Sequence, residues 1–507
     1  MFMPSSKDLD PVEAAPVACM AQTAVEIMPD DAANGAEMIS GSVPAPAQAA
    51  RRGLRVLAIL SALMGFASIS TDLFLPALPT MTGALRSDAG TMELTISGYL
   101  IGFSLGQLLW GPIGDRHGRR MPVAIGLVLF VIGSAGCAVS AGAWAMVGWR
   151  VVQAVGACAG VVLARAMVRD LYTGERAAQM LSTLMTVMAI APLLGPILGG
   201  QILALASWQA IFWTLVGVGL LTLAALSVLP ETLAPERRNH EPLGRAIANY
   251  LLLVRQRRLI GYAGAGAFFY GGIYAYIAGT PFAYISYHHV PPQLYGLLFG
   301  VGILGIMGTN LLNARLVMRL GSVRLMRVGT SGAALAGVVV AIDARTGWGG
   351  LMGLAAPLFV FVGLTGFIVA NSIAGALANF PERAGAVSAL VGALQYGTGI
   401  AGSALVGTFA DGTPWPMGWV IALSGIGSTL CAWLLVALGE GEESADCLQA
   451  PILRHEREAG ARLEEAVIRG DEAPVRQHAI VVIQHRDNPE PAARHTGLEA
   501  PHVVGER

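Results

Sequence analysis

The sequence predicts an all-α membrane protein of twelve transmembrane helices in two six-helix halves, with both termini in the cytoplasm. Three observations carry that expectation. The 507-residue chain is 54% hydrophobic and only 13% charged, and its mean hydropathy of +0.60 exceeds what a soluble domain with a polar surface sustains. A helix needs roughly 20 mostly apolar residues to cross a hydrocarbon core of about 30 Å, and about twelve such runs can be placed between residues 54 and 438. The arginines also fall on one side of that arrangement. Arg51, Arg52, Arg55, Arg116, Arg119, Arg120, Arg169, Arg176 and the arginines of 237–258 and 315–327 share a face, whereas the opposite loops hold little more than Arg86 and Arg345. By the positive-inside rule the arginine-rich face is cytoplasmic. The net charge of −1 is uninformative, because position counts here and the sum does not.

In chain order, residues 1–50 are rich in Ala, Pro and acidic residues and lack the apolar core of a signal peptide. They read as a disordered N-terminal tail, or as sequence ahead of the true start. The first six apolar runs lie near 54–77, 93–113, 121–141, 143–164, 178–204 and 209–230. The arginine-rich segment 231–258 then forms a cytoplasmic linker. Six further runs follow near 259–281, 294–314, 325–344, 350–372, 384–408 and 416–438, so the N-terminal half is 54–230 and the C-terminal half 259–438. Residues 439–507 are charged and contain prolines, with a weak helical signal over 453–470, and read as a disordered cytoplasmic tail. Cys19, Cys137, Cys158, Cys431 and Cys447 have neither metal-site nor obvious disulfide spacing, which leaves packing as their role.

Charge is concentrated in one hinge, WGPIGDRHGRRM (110–121), which packs Asp115, Arg116, Arg119 and Arg120 into six positions. Glycines permit the sharp turn between two helices, and at the aqueous face the charges cost little. If the halves are repeats, a cousin should follow the eighth run. NARLVMRLGSVRLM (313–326) fits, with Arg319 for Arg116, Gly321 for Gly118, and Met318 in place of Asp115.

Ionisable groups within a span are costly and mark functional sites. Asp72 lies 18 positions beyond Leu54, roughly 27 Å from the cytoplasmic end, and Arg150 enters the fourth run about 10 Å from the outer side. The two therefore lie in the same outer third of the membrane, within a long side chain's reach in depth. Arginine keeps its charge, whereas an aspartate responds to desolvation and to a nearby cation. Asp72 is thus the candidate proton carrier, and Arg150 its charge partner or a substrate contact. The alternative makes Asp72 a helix boundary at headgroup level, because Pro76 follows closely.

Glycines at four-residue intervals, Gly98, Gly102 and Gly106 in the second run and Gly195 and Gly199 beside Pro192 and Pro196 in the fifth, suit either a rocking interface or static packing. Tyr270 and Tyr274 of the seventh run belong to a substrate cavity or to an interfacial belt, and Gln107, Gln153, Asn371 and Gln395 are further polar candidates for the cavity. GVGILG (300–305) satisfies GxGxxG but lies inside an apolar run with no strand before it, so it reads as packing. His288 and His289 lack a third ligand. No nucleophile–base pair, metal site, cofactor or nucleic-acid motif emerges, and the protein is not expected to be an enzyme.

GPIGDRHGRR (111–120) resembles the signature loop of the major facilitator superfamily. Together with TDLFLPALP (71–79), RVVQAVGACAG (150–160), ARAMVRDLY (164–172), APLLGPILGG (191–200) and LPETLAPERR (229–238), it is similar to the Bcr/CflA group of drug:proton antiporters over about 54–438. The resemblance implies the major facilitator fold in the bacterial inner membrane. It implies export of small amphipathic drugs, such as bicyclomycin-like, chloramphenicol-like or sulfonamide-like compounds, in exchange for protons. It makes Gly111, Asp115, Arg116, Gly118, Arg119 and Arg120 a cytoplasmic gate, with Asp115 holding the outward-facing state against the other half. Arg150 joins proton coupling, and Gly195, Pro196, Gly199 and Gly200 form the antiporter motif beside Pro192. Asp72 matches the acid of the group's DxYLPALP pattern, although Leu73 and Phe74 replace the usual Met and Tyr and a phenol is lost. The partners implied are a drug-like molecule, protons and the bilayer, around a monomer. The alternatives are a proton-linked metabolite or amino-acid exporter, an uptake symporter, or a membrane sensor or scaffold acting through its tail.

Overall fold

The computed structural model describes residues 46–238, 253, 256–378, 380 and 384–436. Residues 1–45 of the expected N-terminal tail, the tail expected over 439–507, the helix expected over 453–470 and much of the linker 231–258 lie outside the described residues, whereas 46–50 are helical. Met1–Gly53 separates as its own unit, of which the described residues form the opening turns of the first helix; Leu54–Arg507 is the second unit.

The first helix, α1, runs Pro46–Asp72. It ends there because Pro76 and Pro79 cannot donate to a continuing helix; a 3₁₀ turn, Leu75–Ala77, leads into the short α2, Leu78–Ala84. Asp88 caps the next helix, accepting from the Thr91 backbone N–H at 2.8 Å and from its hydroxyl at 2.7 Å. These bonds, the hydroxyl's first, hold the exposed Asp88 carboxyl below its ordinary range.

Then come α3 (Ala89–His117), α4 (Arg120–Ala138), α5 (Ala143–Leu171), α6 (Gly174–Leu205) and α7 (Trp208–Leu226). Beyond the linker lie α8 (Arg257–Pro281), α9 (Pro292–Leu320), α10 (Ser322–Thr346), α11 (Gly350–Gly363), α12 (Thr365–Ala378), α13 (Ala384–Thr408) and α14 (Trp415–Leu430). Gly118 closes α3 with φ +92° and Gly321 closes α9 with φ +79°. The pair matched between the two hinges thus adopts the same left-handed stop, which a side chain would strain.

Nine helices among the described residues are long and apolar enough to cross a membrane. The long helices α3, α8 and α13 also occupy predicted runs but fall outside that set. Their interruptions are glycine, serine, threonine, tyrosine and glutamine, residue types suited to close helix contact or a polar lumen. Leu105, Leu108 and Leu109 on α3, Val128 and Ile132 on α4, and Leu220 and Leu221 on α7 are exposed, an apolar outside suited to lipid.

Within the N-terminal half, α3 and α4 both pack on α5, and α7 packs on α4. A Cβ at Gly98 would lie 3.0 Å from Val147, one at Gly106 2.7 Å from Cys158, and one at Gly102 would overlap the carbonyl of Val151. The glycine ladder of the second run thus brings α3 close to α5 within one half. Gly160 likewise lets α5 approach the Leu63 carbonyl. In the other half α8 packs against α13 and α14, and α10 against α14. Two helix pairs join the halves, α3 with α13 and α6 with α9.

Candidate functional site

Between those pairs lies a cavity of about 220 Å³. From one side it is lined by Thr71 and Asp72 of α1, Tyr99 and Phe103 of α3, and Met188 and Pro192 of α6; from the other by Tyr270, Tyr274 and Tyr276 of α8, Phe299 and Ile303 of α9, Val362 and Thr365 near the α11–α12 break, and Tyr396 of α13. Tyr270, Tyr274 and Tyr396 stand with ring centroids 6.1 to 6.4 Å apart, and Phe103 faces Tyr396 at 5.2 Å. The seventh-run tyrosines therefore belong to the cavity rather than to an interfacial belt.

Asp72 ends a helix and faces the cavity as well. It is the last residue of α1, and it is buried at 4% exposure on the cavity wall. What puts it there is α6. A Cβ at Gly195 would fall 2.9 Å from the Asp72 Cβ, and one at Gly199 would overlap the Leu73 carbonyl oxygen. The unwound end of α1 thus rests directly on the α6 backbone, which only glycine permits at this approach. Gly200 faces the other way, where a Cβ would lie 2.8 Å from the Pro292 carbonyl oxygen. Gly296 of α9 returns the contact, its Cβ position 2.6 Å from the Ile197 nitrogen and 2.7 Å from Pro196.

Arg150 is fully buried. Its Nη1 donates to the Ser70 carbonyl at 2.9 Å and to the Gln153 Oε1 at 2.5 Å. Its guanidinium carbon sits 4.1 Å from the centroid of the Phe74 ring and 4.4 Å from that of Tyr99. Nε and Nη2 have no hydrogen-bond partner among the described residues. Arg150 makes no salt bridge with Asp72; the ion pairs among the described residues are both made by Arg119. The guanidinium is held by aromatic faces, a carbonyl and an amide, and it acts on Asp72 only through space. Gln153 belongs to this nest, donating from Nε2 to the Ser134 Oγ at 2.8 Å.

The other polar candidates do not line the cavity. Asn371 donates to Asn313 at 2.7 Å and to the Phe367 carbonyl at 2.8 Å. Gln395 is buried against α8, its Nε2 lying 3.2 Å from where a Gly266 Cβ would be. Gln107 faces Gly392, whose Cβ position is 3.6 Å from its Oε1. None of the three is among the lining residues.

The hinge forms a compact ionic knot within its own half. Arg119 pairs with Asp115 at 2.6 Å and with Asp170 at 2.8 Å. Glu231 takes the Arg119 backbone N–H at 2.7 Å and that of Arg120 at 3.1 Å, and Arg120 also reaches the Ser227 carbonyl at 2.9 Å. Partial burial works to raise the Glu231 pKa, but the N–H groups of Arg119, Leu233, Arg120 and Thr232 outweigh it and hold the carboxylate below its ordinary range. A Cβ at Gly118 would press on Glu231 at 2.8 Å. Arg116 is exposed, and nothing approaches Gly111. Among the described residues Asp115 pairs with Arg119 of its own half and with none of the other, so the cross-half latch implied by the resemblance is not seen there. GVGILG lies inside α9, and no metal-binding cluster occurs among the described residues.

Asp170, Glu231, Tyr99, Phe74 and Tyr396 escaped the sequence reading. Asp170 and Glu231 stood in quoted motifs, and their charge near the arginine hinge was the available signal. The aromatic partners of Arg150 come from other helices, and one sequence does not encode which helices touch.

The sequence pattern of the Major Facilitator Superfamily matches residues 60–403. The chain is 29% identical over 382 residues to a bicyclomycin resistance protein homolog of Haemophilus influenzae, covering 75% of this chain and 95% of that one. It is 29% identical over 401 residues to a chloramphenicol resistance protein of Pseudomonas aeruginosa, covering 77% and 94%. A crystal structure of a D-xylose-proton symporter superposes with a TM-score of 0.59 at 16% identity, over 76% of this chain and 98% of that one. At that identity the likeness speaks for the fold alone.

Proposed function

Because the chain belongs to the major facilitator superfamily, we propose that it exports small amphipathic drug-like compounds across the bacterial inner membrane by alternating access, in exchange for protons. The observation that carries this reading is Asp72, a carboxyl on the wall of an aromatic cavity bounded by both halves. The resistance proteins named above support a drug substrate. The lining fits one: phenol and phenyl rings offer broad apolar contact, and a few hydroxyls orient the ligand.

In this reading α3, α8 and α13 complete twelve spans, and 54–230 and 259–438 rock about the cavity as a monomer with both ends cytoplasmic. The closest approaches between halves, Gly90 with Gly407, Ser97 with Ser403 and Gly200 with Pro292, all lie at the end opposite the Asp115 hinge. That pattern supports a state closed outside and opening inward, with the Asp115 latch disengaged. Asp72 carries the proton. A carboxyl among aromatic rings favours its neutral form, and water reaching it in the other state favours release. Arg150, unable to shed its charge, sets a fixed positive field at that depth. One proton crossing about 100 mV releases about 2.3 kcal/mol, enough for roughly a fifty-fold gradient of a neutral solute, since 1.4 kcal/mol is about tenfold.

Asp72→Asn should leave the protein in the membrane at normal abundance and abolish chloramphenicol-driven proton movement in inverted vesicles. Undiminished proton release at several pH values would overturn the proposal.

A further inference from the structure

A second carboxyl is buried where the halves meet at the outer end. Glu93 of α3, one turn inside the Asp88 cap, is 4% exposed, and its Oε2 has no hydrogen-bond partner among the described residues. It lines a small closed void with Ala89 of its own helix and, from the opposite half, with Gly279, Phe282, Val406, Thr413 and Met417. No other residue of that lining is ionisable. The groups whose charge reaches Glu93 are Asp88, from the loop before α3, and Asp411, from the loop after α13, and both are acidic. Arg345, at the same end, lies over the Trp415 ring at 5.7 Å.

Backbone meets backbone beside the void. Gly90 and Gly407 meet with no room for a Cβ on either, and about two turns deeper Ser97 and Ser403 share a hydrogen bond of 2.8 Å across the halves. Glu93 sits between these two contacts. An ionised carboxylate there, buried, with Oε2 lacking a donor among the described residues and two acids nearby, would be disfavoured. A protonated one tolerates the site. Parting α3 from α13 would bring water to the same group and remove that preference.

We infer that Glu93 is a second proton-binding site of the transport cycle, loaded from the outer face and holding its proton for as long as the outer end is closed. The inference rests on the alternating-access reading above but not on Asp72 or on any substrate. Deprotonating Glu93 at the closed end works against closure, so the outer gate itself answers to outside pH: acid favours closing, alkali favours opening.

The test is a distance measurement between spin labels at Ala84→Cys and Thr408→Cys in purified protein lacking substrate, with Cys19 and Cys447 replaced by Ser, across about pH 5 to 9. It is made in an Asp72→Asn background, so that Asp72 contributes nothing. That protein should still shift from the short to the long separation as pH rises. Adding Glu93→Gln, which matches the protonated side chain in shape, should abolish the shift and leave the short separation at every pH. Adding Glu93→Asp should keep a shift with a displaced midpoint. A pH-dependent shift that survives Glu93→Gln, or its absence with Glu93 intact, overturns the inference. Because no drug is present, failure of drug:proton exchange would appear in the vesicle assay and leave this measurement unaffected.

Discussion

Arg150 must remain charged in a place with no carboxylate to pair with it, and its surroundings explain how. The Phe74 and Tyr99 rings both lie within 4.4 Å of the guanidinium carbon, and Nη1 finds a carbonyl and an amide oxygen. A desolvated cation–π contact is worth about 2 kcal/mol or more. Lysine, a compact ammonium, cannot replace a planar guanidinium against two rings. Arg150→Lys should therefore lower the thermal midpoint of the solubilised protein and cut efflux about tenfold, which a melting curve and a vesicle transport assay would check. A wild-type melt would mean that the stacking carries no energy. Sequence alone located this arginine, because an ion in an apolar run is conspicuous. The aromatic slot was illegible, since Phe74 lies past the end of α1 and Tyr99 on a separate helix, and no local pattern couples either to α5. The same blindness explains Gln395 and Asn371: as polar residues in apolar runs they were visible, but which neighbour each would face was not.

Among the elements, the hinge between α3 and α4 was read correctly as a glycine turn at Gly118 and a basic cluster, and its repeat at Gly321 followed from spacing. What spacing could not give is the anchor. Glu231, 111 positions after Arg120, ties the hinge to the chain beyond α7 by accepting four backbone N–H groups. Its folded-state pKa lies below the ordinary glutamate value of 4.5. The stabilisation it provides is therefore present in full above about 4.5 and lost as pH falls through the lower, folded-state value. Glu231→Gln should lower the melting temperature at neutral pH and flatten its decline in acid. The measurement is a series of melts from neutral pH to about pH 3; parallel curves for the two proteins would contradict this role. The α6 motif makes a different point. Its glycines were legible as a close-contact surface, but Gly195 and Gly199 serve the end of α1 while Gly200 serves the other half, a division invisible in the repeat itself.

At the scale of the whole molecule, glycines bring backbone against backbone where the halves meet, at Gly90 with Gly407 and at Gly296 with Ile197. Glycine-on-glycine contact at Gly90 and Gly407 buries little apolar area per residue, so such a seam can part at modest cost. The centre of the molecule was the hardest part to read from sequence for the same reason. Of the helices at the seam, α6 and α9 keep a span's apolar signal, whereas α3 and α13 are rich in the glycine, serine and tyrosine that a cavity and a parting contact require, which weakens it. Ser97 and Ser403 offer a direct handle on that motion. Their hydroxyl oxygens lie 2.8 Å apart, so cysteines at both positions would bring their sulfurs within reach of a disulfide bond of about 2.05 Å. Oxidising the Ser97→Cys/Ser403→Cys protein in inverted vesicles should trap the outer end shut and stop export completely, reduction should restore it, and neither single variant should respond. Cys137, Cys158 and Cys431 are buried and unpaired, so they would not compete for the oxidant. If the crosslinked protein exports at the unmodified rate, the α3–α13 seam does not open during transport, and the halves must separate elsewhere.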